Sequence, residues 1–284
     1  MIALIISRED PASLNIRDRL LELVSWEPAG DAEGLPVRRY MDMVMAEIAT
    51  SHLETDHVDR LVAAAVKQVP EAVIVASRHR AQSGSQSLTA HPIGNYGAAD
   101  FGGKAETLVP VPARLLTQAL RFLQEEAVTR RLPHAVAFEA THHGPYLETP
   151  TLYLEIGTSE ADWADPANGR ALAATLIRLA ECPEEYEGPV LVAVGGSHYA
   201  PKAADLVRKK ACAIGHIIPA YHLQAPGGLK PHLVQQAVQK TRPRPEGYFL
   251  DDRGLKGEEK PVIAALEAMG LKRYGEKDLK DRTD

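Results

Sequence analysis

The sequence predicts an α/β protein with three layers, in which a mostly parallel (mixed) sheet lies between helices. Short apolar runs that fit buried strands alternate with segments of helical spacing along most of the 284 residues. The composition is 45% apolar and 25% charged, which is ordinary for a globular protein and too apolar for a disordered one. A chain of this kind buries a large core.

The first third of the chain contains two strand and helix repeats. Strands are predicted at 2–7 and 71–79, and helices at 10–24 and 55–69. The first helix has a capping residue in Asp10 and a proline, Pro11, in its first turn. Between the repeats, the segment 37–49 fits either a strand or a helix.

The segment 81–112 interrupts this pattern, because its glycines, prolines and small polar residues fit no helix. A long irregular segment inside a compact domain is usually functional. We therefore expect 81–112 to contribute to a site.

The alternation then resumes to the end of the chain. Helices are predicted at 113–131, 165–181, 200–211, 231–240 and 260–270, and strands at 188–196, 213–223, 247–252 and twice within 134–157. No internal repeat or linker is visible. We predict a single α/β domain over residues 1–270, followed by a charged tail over 271–284 that frays.

The net charge of −6 argues against a protein that coats nucleic acid non-specifically. Local basic patches remain at 207–210, at 240–245 and at Arg78 with Arg80, and each of them taken singly also fits a solvated surface. No run of apolar residues is long enough to span a membrane, and the N-terminus lacks the features of a signal peptide. Together with two cysteines in no recognisable framework, this predicts a cytoplasmic protein that binds neither membrane nor DNA.

Histidines follow three of the predicted strands. His79 ends one strand, His142 and His143 end a second, and His198 follows a third, while His91 lies on the irregular segment. In an open α/β sheet, ligands bind beyond the carboxyl ends of the strands. We therefore expect these histidines to converge on one site, although any one of them alone would more often be structural.

Two glutamates, Glu139 and Glu155, lie inside apolar runs near these histidines. Burial of a carboxylate without a partner is costly, so each of them is either at an edge facing solvent or engaged with a metal, a histidine or a proton. Imidazoles and carboxylates are suitable zinc ligands, and the turn at Gly144 allows both His142 and His143 to face one ion. The spacing is less specific than that of an HExxH motif.

The segment "VGGSHYAP" places Gly195 and Gly196 between a strand and a helix, where a ligand can approach the backbone and an anion can meet free N–H groups. It is neither a dinucleotide fingerprint nor a P-loop. No GxSxG elbow is present.

Several motifs together resemble the D-aminoacyl-tRNA deacylase family of archaea and plants. They are "SRH" at 77–79, "LTAHPIGNYGAADFGGK" at 88–104, "EATHHGP" at 139–145, "LEIGTSEADW" at 154–163, "GGSHYAP" at 195–201 and "GH" at 215–216. The resemblance runs from residue 1 to about residue 270. It implies a fold related to peptidyl-tRNA hydrolases and purine nucleoside phosphorylases, hydrolysis of the ester of D-aminoacyl-tRNA, and an association with zinc.

From the chemistry of the matching positions we assign expected roles. Catalytic roles are expected for His79, His91, Glu139 and Glu155, zinc ligation for His142, His143 and His198, and substrate binding for Asn95, Gly195, Gly196, Lys209 and Lys210. Pro92, directly after His91, restricts His91 to an extended backbone. The expected partner is the acceptor end of D-aminoacyl-tRNA, and a monomer is expected.

Two other function classes remain compatible with the residues. A metal-dependent hydrolase of a small amide or peptide would use the same histidines without the basic patches. A non-catalytic module that binds tRNA or a nucleoside would keep the patches without the histidines.

Overall fold

A computed structural model describes residues 1–80, 85–182 and 188–282 of the chain. The longer strands are β1 (Ile2–Ser7), β2 (Glu27–Ala32), β3 (Leu35–Tyr40), β4 (Met43–Ile48), β5 (Ala72–His79), β6 (Ser87–Pro92), β10 (Ala135–Phe138), β11 (Thr151–Gly157), β12 (Val190–Gly195), β13 (Ala213–Ile218) and β15 (Gly247–Asp251). The two-residue strands are β7 (Gly94–Asn95), β8 (Thr107–Leu108), β9 (Val111–Pro112), β14 (Thr241–Arg242) and β16 (Lys272–Arg273).

The helices are α1 (Pro11–Leu23), α2 (Val58–Val66), α3 (Ala113–Thr129), α4 (Glu160–Ala164), α5 (Pro166–Glu181), α6 (Pro201–Lys209), α7 (Ala220–Leu223), α8 (Pro231–Gln239) and α9 (Lys260–Ala268). Helix α1 begins as its sequence predicts, because the Asp10 carboxylate accepts hydrogen bonds from the backbone N–H groups of Ala12 and Ser13. None of the helices in the described ranges combines the length and apolar character that a membrane span requires.

The larger sheet has eight strands in the order β10-β6-β11-β5-β1-β4-β3-β2. Strands β1, β4, β5 and β11 are parallel to one another, whereas β6 is antiparallel to β11, and β10 is parallel to β6. The predicted fold class, α/β with a mostly parallel, mixed sheet, is confirmed. The expectation of a common carboxyl edge is wrong for His79 and the pair His142 and His143, because β10, which precedes the pair, runs antiparallel to β5, which ends at His79.

The two faces of this sheet are covered differently. Alternate side chains of the central strands pack against α1, α3 and α5, in a core that includes Leu4, Ile74 and Leu154. The opposite face is apolar only over part of its area, where Val73 and Tyr153 pack with residues of α2. Farther along the same strands this second face becomes polar, and the candidate site lies there.

A second, four-stranded parallel sheet has the order β13-β12-β15-β16. Backbone hydrogen bonds join it to the end of β10: the Ala140 N–H donates to the His198 carbonyl at 2.7 Å, and the Ala200 N–H donates to the Phe138 carbonyl at 3.0 Å. We refer to these two bonds as the seam. The seam brings His198 beside residues of the larger sheet.

Three predicted segments differ from the structure. The ambiguous segment 37–49 contains the carboxyl-terminal part of β3 and all of β4. The segment 81–112, predicted to be irregular, contains β6, which is a strand inside the larger sheet; residues 81–84 lie outside the described residues.

The tail 271–284, predicted to fray, is packed over its described part, 271–282. Strand β16 pairs with β15, and the side chains of Tyr274 and Leu279 are buried in the core. Its charges conceal three apolar anchors at Leu271, Tyr274 and Leu279, which explains the error. Residues 283–284 are outside the described part.

Candidate active site

The polar half of the second face of the sheet is built by strand alternation. Ser77 and His79 on β5 and Glu155 on β11 lie on the same side as Val73 and Tyr153, because every second side chain of a strand points to one face. His91 on β6 is paired with Tyr153 and joins this face. As Pro92 predicts, His91 is extended within a strand.

Glu139 is one of two buried carboxylates at the centre of the site, and it is 0% exposed. Its Oε2 atom lies 3.0 Å from His198 Nε2 and 3.5 Å from His142 Nε2. Its Oε1 atom lies 3.2 Å from His79 Nδ1. Glu139 therefore contacts histidines that come from three separate segments of the chain.

Glu155 is the second buried carboxylate. Its Oε2 atom lies 3.3 Å from His79 Nδ1 and 3.6 Å from His91 Nε2, and its Oε1 atom accepts a 2.7 Å hydrogen bond from the Ser77 hydroxyl. His79 is thus shared by both glutamates. On its other side, His79 Nε2 lies 2.8 Å from the Tyr199 hydroxyl. The expected alternative of a glutamate facing solvent is excluded for both.

In three histidines, the Nδ1 atom faces a backbone carbonyl, which fixes the tautomer of the ring. The Nδ1 atoms of His91, His142 and His143 lie 3.1, 2.8 and 3.0 Å from the backbone carbonyls of Pro92, Ala140 and Gly144, respectively. A carbonyl can only accept, so each Nδ1 carries a hydrogen, and Nε2 presents a lone pair when the ring is neutral. The Nε2 atom of His91 is buried without a hydrogen-bond partner among the described residues.

The site holds opposite charges close together. Burial lowers the pKa of His142 and that of His143, the latter to about 3, and neighbouring histidines add to the effect, so both rings are neutral at pH 7. Burial acts in the same direction on His79 and His91, but the carboxylates of Glu155 and Glu139 outweigh it, and the pKa of each of these two histidines is raised.

For the two glutamates the balance is reversed. Burial raises the pKa of Glu139 and that of Glu155, but the hydrogen bonds and charges of the surrounding histidines outweigh burial, and the pKa of each carboxyl is lowered. Both carboxylates are therefore ionised at neutral pH.

A cavity of about 550 Å³ opens over these side chains. It is lined by Ser7, Glu9, Asp10, Ser51, His52, Leu53, Arg78, His79, Arg80, Phe101, His142, His143, Glu155 and His198. This volume lies in the range of small-molecule sites. His198 is 36% exposed in its side chain and is the most open of the histidines that contact Glu139.

The structure also adds polar residues that were not predicted from the sequence. Asp10 Oδ2 lies 3.1 Å from His52 Nε2, and His52 Nδ1 lies 3.2 Å from the Tyr153 hydroxyl, which donates to the Gly144 carbonyl. His52 follows the carboxyl end of β4, as His79 lies at the end of β5. Because the segment 37–49 is ambiguous in the sequence, this position of His52 is not predictable from it. Tyr199 is adjacent to His198 and has no sequence signal of its own.

Within this site, the residues that can hold a metal form three groups, and the members of each group lie within reach of one ion. They are His91 with His142 and His143, Glu139 with His142 and His198, and His79 with Glu139 and Glu155. The predicted set of His142, His143 and His198 is divided between the first two groups, which share His142. The first group fits zinc best, because all three of its Nδ1 atoms are bound to carbonyls, as is typical of metal-binding histidines, and burial keeps His142 and His143 neutral.

The residues predicted to bind substrate lie outside this cavity lining. The side-chain amide of Asn95 donates to the carbonyls of Gly102 and Lys104 and so holds a loop. Gly195 and Gly196 pack against Asp251.

Lys209 and Lys210 lie at the far end of α6, where the Lys210 ammonium group forms an ion pair with Asp281 at 2.6 Å. The separation from the site follows from the direction of α6, which begins near His198 and runs about 13 Å away from it.

Comparisons with known proteins agree with one another. Residues 66–273 match the family model for D-aminoacyl-tRNA deacylase. The curated D-aminoacyl-tRNA deacylase of Thermococcus onnurineus is 32% identical over 95% of this chain and 98% of its own length, and that of Thermoplasma acidophilum is 34% identical over 93% and 94%. The crystal structure of a conserved protein of unknown function superimposes with a TM-score of 0.89 at 27% identity, covering 100% of this chain and 99% of that one.

Proposed function

The chain belongs to the D-aminoacyl-tRNA deacylase family and hydrolyses the ester of D-aminoacyl-tRNA, and we propose that the cavity over Glu139 and Glu155 is where this reaction occurs. The products are the free D-amino acid and tRNA, so the protein acts in translation quality control.

One observation carries the assignment of the site. Two buried carboxylates and four histidines, His79, His91, His142 and His198, meet beneath a single cavity, where a structural core would require none of them. Ester hydrolysis needs a base for water and a cation or hydrogen-bond donor for the developing oxyanion. Both kinds of group are present here.

We propose His198 as the general base. Its Nε2–H donates to Glu139 at 3.0 Å, which leaves Nδ1 as the proton acceptor, and Nδ1 has no partner within the described ranges. A carboxylate that orients an imidazole and stabilises its protonated form is the arrangement used by many hydrolases. Glu139 is therefore a positioning residue for His198, rather than a group that itself takes the proton.

His79 has a complementary role in this proposal. Burial lowers the pKa of this ring, but Glu155 and Glu139 outweigh burial and raise the pKa, which favours the protonated form, and both carboxylates contact Nδ1. Both ring nitrogens are already engaged, so a protonated ring stabilises an oxygen on which negative charge develops through its positive charge and not through a hydrogen bond. Tyr199, at 2.8 Å from Nε2, holds the ring in place.

We further propose zinc as the metal of this site, with His91, His142 and His143 as its ligands through Nε2. The shared tautomer and the unpartnered Nε2 of His91 support this choice. Zinc held by these residues would supply a Lewis acid for the hydrolysis. His198 is placed outside the ligand set, which differs from the assignment expected from the sequence.

The testing experiment incubates the protein with D- and L-aminoacyl-tRNA, each with and without a chelator, and measures the amino acid released. The proposal requires hydrolysis of the D-substrate, a much slower reaction of the L-substrate, and loss of activity with the chelator that added zinc restores. Release from small amides alone, or binding of tRNA without release, would contradict it. Activity that is indifferent to the chelator would contradict only the zinc.

We also propose that the protein works in the cytoplasm, where its substrate is made. The described cysteines, Cys182 and Cys212, are both unpaired, as a reducing compartment favours. Fractionation of cells that express the tagged chain tests the location.

A further inference from the structure

Phe101 differs from the other phenylalanines of the chain in being exposed. Phe138 is buried, and Phe122 and Phe249 pack against the core, whereas Phe101 is 69% exposed. It lines the same cavity as His142 and His198. Single exposed apolar side chains are ordinary on a protein surface, but an aromatic ring in the lining of a cavity offers a contact surface to a ligand.

The exposure of Phe101 does not come from a loosely held loop. The Phe101 carbonyl accepts a 3.0 Å hydrogen bond from the Gly144 N–H. The next residue, Gly102, packs so closely on Leu53 that a Cβ atom would lie 1.8 Å from the Leu53 carbonyl oxygen. The Asn95 amide donates to the Gly102 carbonyl at 3.0 Å. The backbone is anchored on both sides, so the ring is held at the mouth before any ligand binds.

Two arginines, Arg78 and Arg80, also line this cavity, and both are exposed. Their guanidinium carbons lie 5.3 and 5.4 Å from the ring centroid of the buried Trp163, whose indole N–H donates to the His79 carbonyl. Within the described ranges, no carboxylate forms an ion pair with either arginine.

Three arginines elsewhere in the chain have a carboxylate partner. Arg8, Arg17 and Arg38 all contact the buried Glu47 carboxylate at 2.8 to 3.3 Å. Arg78 and Arg80, by contrast, have no ion-pair partner among the described residues, and both lie near the Trp163 ring in the lining of the cavity. Cations without an ion-pair partner suit an anionic ligand.

We propose that Phe101, Arg78 and Arg80 form a subsite for the single-stranded 3′ end of the tRNA, in which Phe101 stacks on a base and the arginines bind backbone phosphates. An aromatic platform beside uncompensated cations is the usual means of binding single-stranded nucleic acid, because every base has a π face and every linkage is charged. A double-stranded nucleic acid would contact the two arginines through its phosphates and leave the Phe101 ring uncovered. The ester would then lie over Glu139 and Glu155.

This inference rests on the proposed function, and it adds the residues that recognise the nucleic-acid part of the substrate. It also moves the expected contact away from Lys209 and Lys210. The net charge of −6 is compatible with it, since only a local positive patch is needed.

The test combines binding and kinetics for Phe101→Ala, Phe101→Tyr and the double variant Arg78→Ala/Arg80→Ala. Binding of a fluorescent CCA trinucleotide is followed by anisotropy across salt concentrations, and kcat and KM are measured with D-aminoacyl-tRNA. Phe101→Ala should raise both Kd and KM about tenfold with little effect on kcat, and Phe101→Tyr should restore them. The double variant should lower the slope of log K against log salt by about 0.7 for each phosphate that the arginines no longer bind.

Val69→Ala and Arg273→Ala serve as matched controls, because both residues are exposed and lie away from the cavity. If wild-type protein hydrolyses D-aminoacyl-tRNA and Phe101→Ala keeps the wild-type KM, the subsite is wrong while the proposed function stands. If the trinucleotide binds through Phe101 but no ester is hydrolysed, the proposed function is wrong and the subsite stands. Failure of wild-type protein to bind the trinucleotide overturns the subsite.

Discussion

Glu139 Oε2 and His198 Nε2 lie 3.0 Å apart, although the two residues follow strands of different sheets. The seam creates this contact, because an isolated antiparallel bridge pairs Glu139 with Tyr199. The carboxylate and the imidazole proposed to act on water are therefore positioned by main-chain hydrogen bonds and not by flexible loops.

We predict that substitutions of His142 and His198 have different effects, the first on metal binding and the second on proton transfer. His142→Ala should lose zinc and activity together, because Nε2 of His142 belongs to the proposed ligand set. His198→Ala should keep its zinc and lose activity by about 100-fold or more, which is typical of a missing general base. Zinc measured by mass spectrometry beside single-turnover rates decides this. Zinc lost from His198→Ala but kept by His142→Ala would reverse the assignment.

We predict that Glu155→Gln lowers activity by roughly 10- to 100-fold without unfolding the protein. The change removes the negative charge that faces His79 at 3.3 Å and His91 at 3.6 Å. Glu148→Gln is the control, because its carboxylate is half exposed and pairs with His57 and Arg60 outside the cavity. Equal rates for Glu155→Gln and wild-type protein would show that Glu155 is structural.

The loop that carries Phe101 offers a pair of glycines for comparison. Gly102 has a φ of +80° and no room for a Cβ atom beside Leu53, whereas a Cβ atom at Gly97 meets nothing within 4 Å. Gly102→Ala should lower the free energy of unfolding by about 1–3 kcal/mol and raise KM. Gly97→Ala should do neither. Urea unfolding and steady-state kinetics on both variants measure the difference, and similar behaviour of the two would contradict it.

Glu47 makes the stability depend on pH. Burial raises the pKa of its carboxyl, but the hydrogen bonds from Arg38 and Arg8 outweigh burial, and the folded pKa lies below the ordinary 4.5. Because the folded pKa is the lower one, the stabilisation is complete above about pH 5 and is lost as the pH falls through the folded pKa.

Glu47→Gln should therefore lower the free energy of unfolding at pH 7 by about 2 kcal/mol and have a smaller effect near pH 3. Urea unfolding at both values measures this. Glu27→Gln is the control, since Glu27 is exposed and forms no ion pair within the described ranges. An equal loss at pH 7 and pH 3 would contradict the assignment of the pKa shift.

Much of the fold follows from local pattern. The apolar runs of β1, β5 and β12 and the capped start of α1 are visible in the sequence because burial and capping each depend on a few neighbouring residues. The direction of β6 and β10 is not visible, because an apolar run is equally compatible with either direction. The expectation that the histidines share one carboxyl edge was wrong because it depended on these strand directions.

The candidate site was predictable to the extent that its residues are chemically unusual. Histidines at strand ends and glutamates inside apolar runs, such as Glu139 and Glu155, stand out in any globular sequence. Phe101 does not, because its exposure depends on where Gly144 and Leu53 place the loop. The sequence also does not show that His142 belongs to two possible ligand groups, one with His91 and His143 and one with Glu139 and His198. The choice between them depends on which carbonyls lie near the Nδ1 atoms.

The seam also determines how the enzyme can lose its activity. The amide protons of Ala140 and Ala200 are protected only while the two sheets are docked. Hydrogen exchange at these amides therefore reports the opening that separates Glu139 from His198. Undocking of the sheets, well short of global unfolding, is enough to abolish the proposed catalytic pair, so the free energy of this local opening sets the fraction of molecules that are competent at any moment.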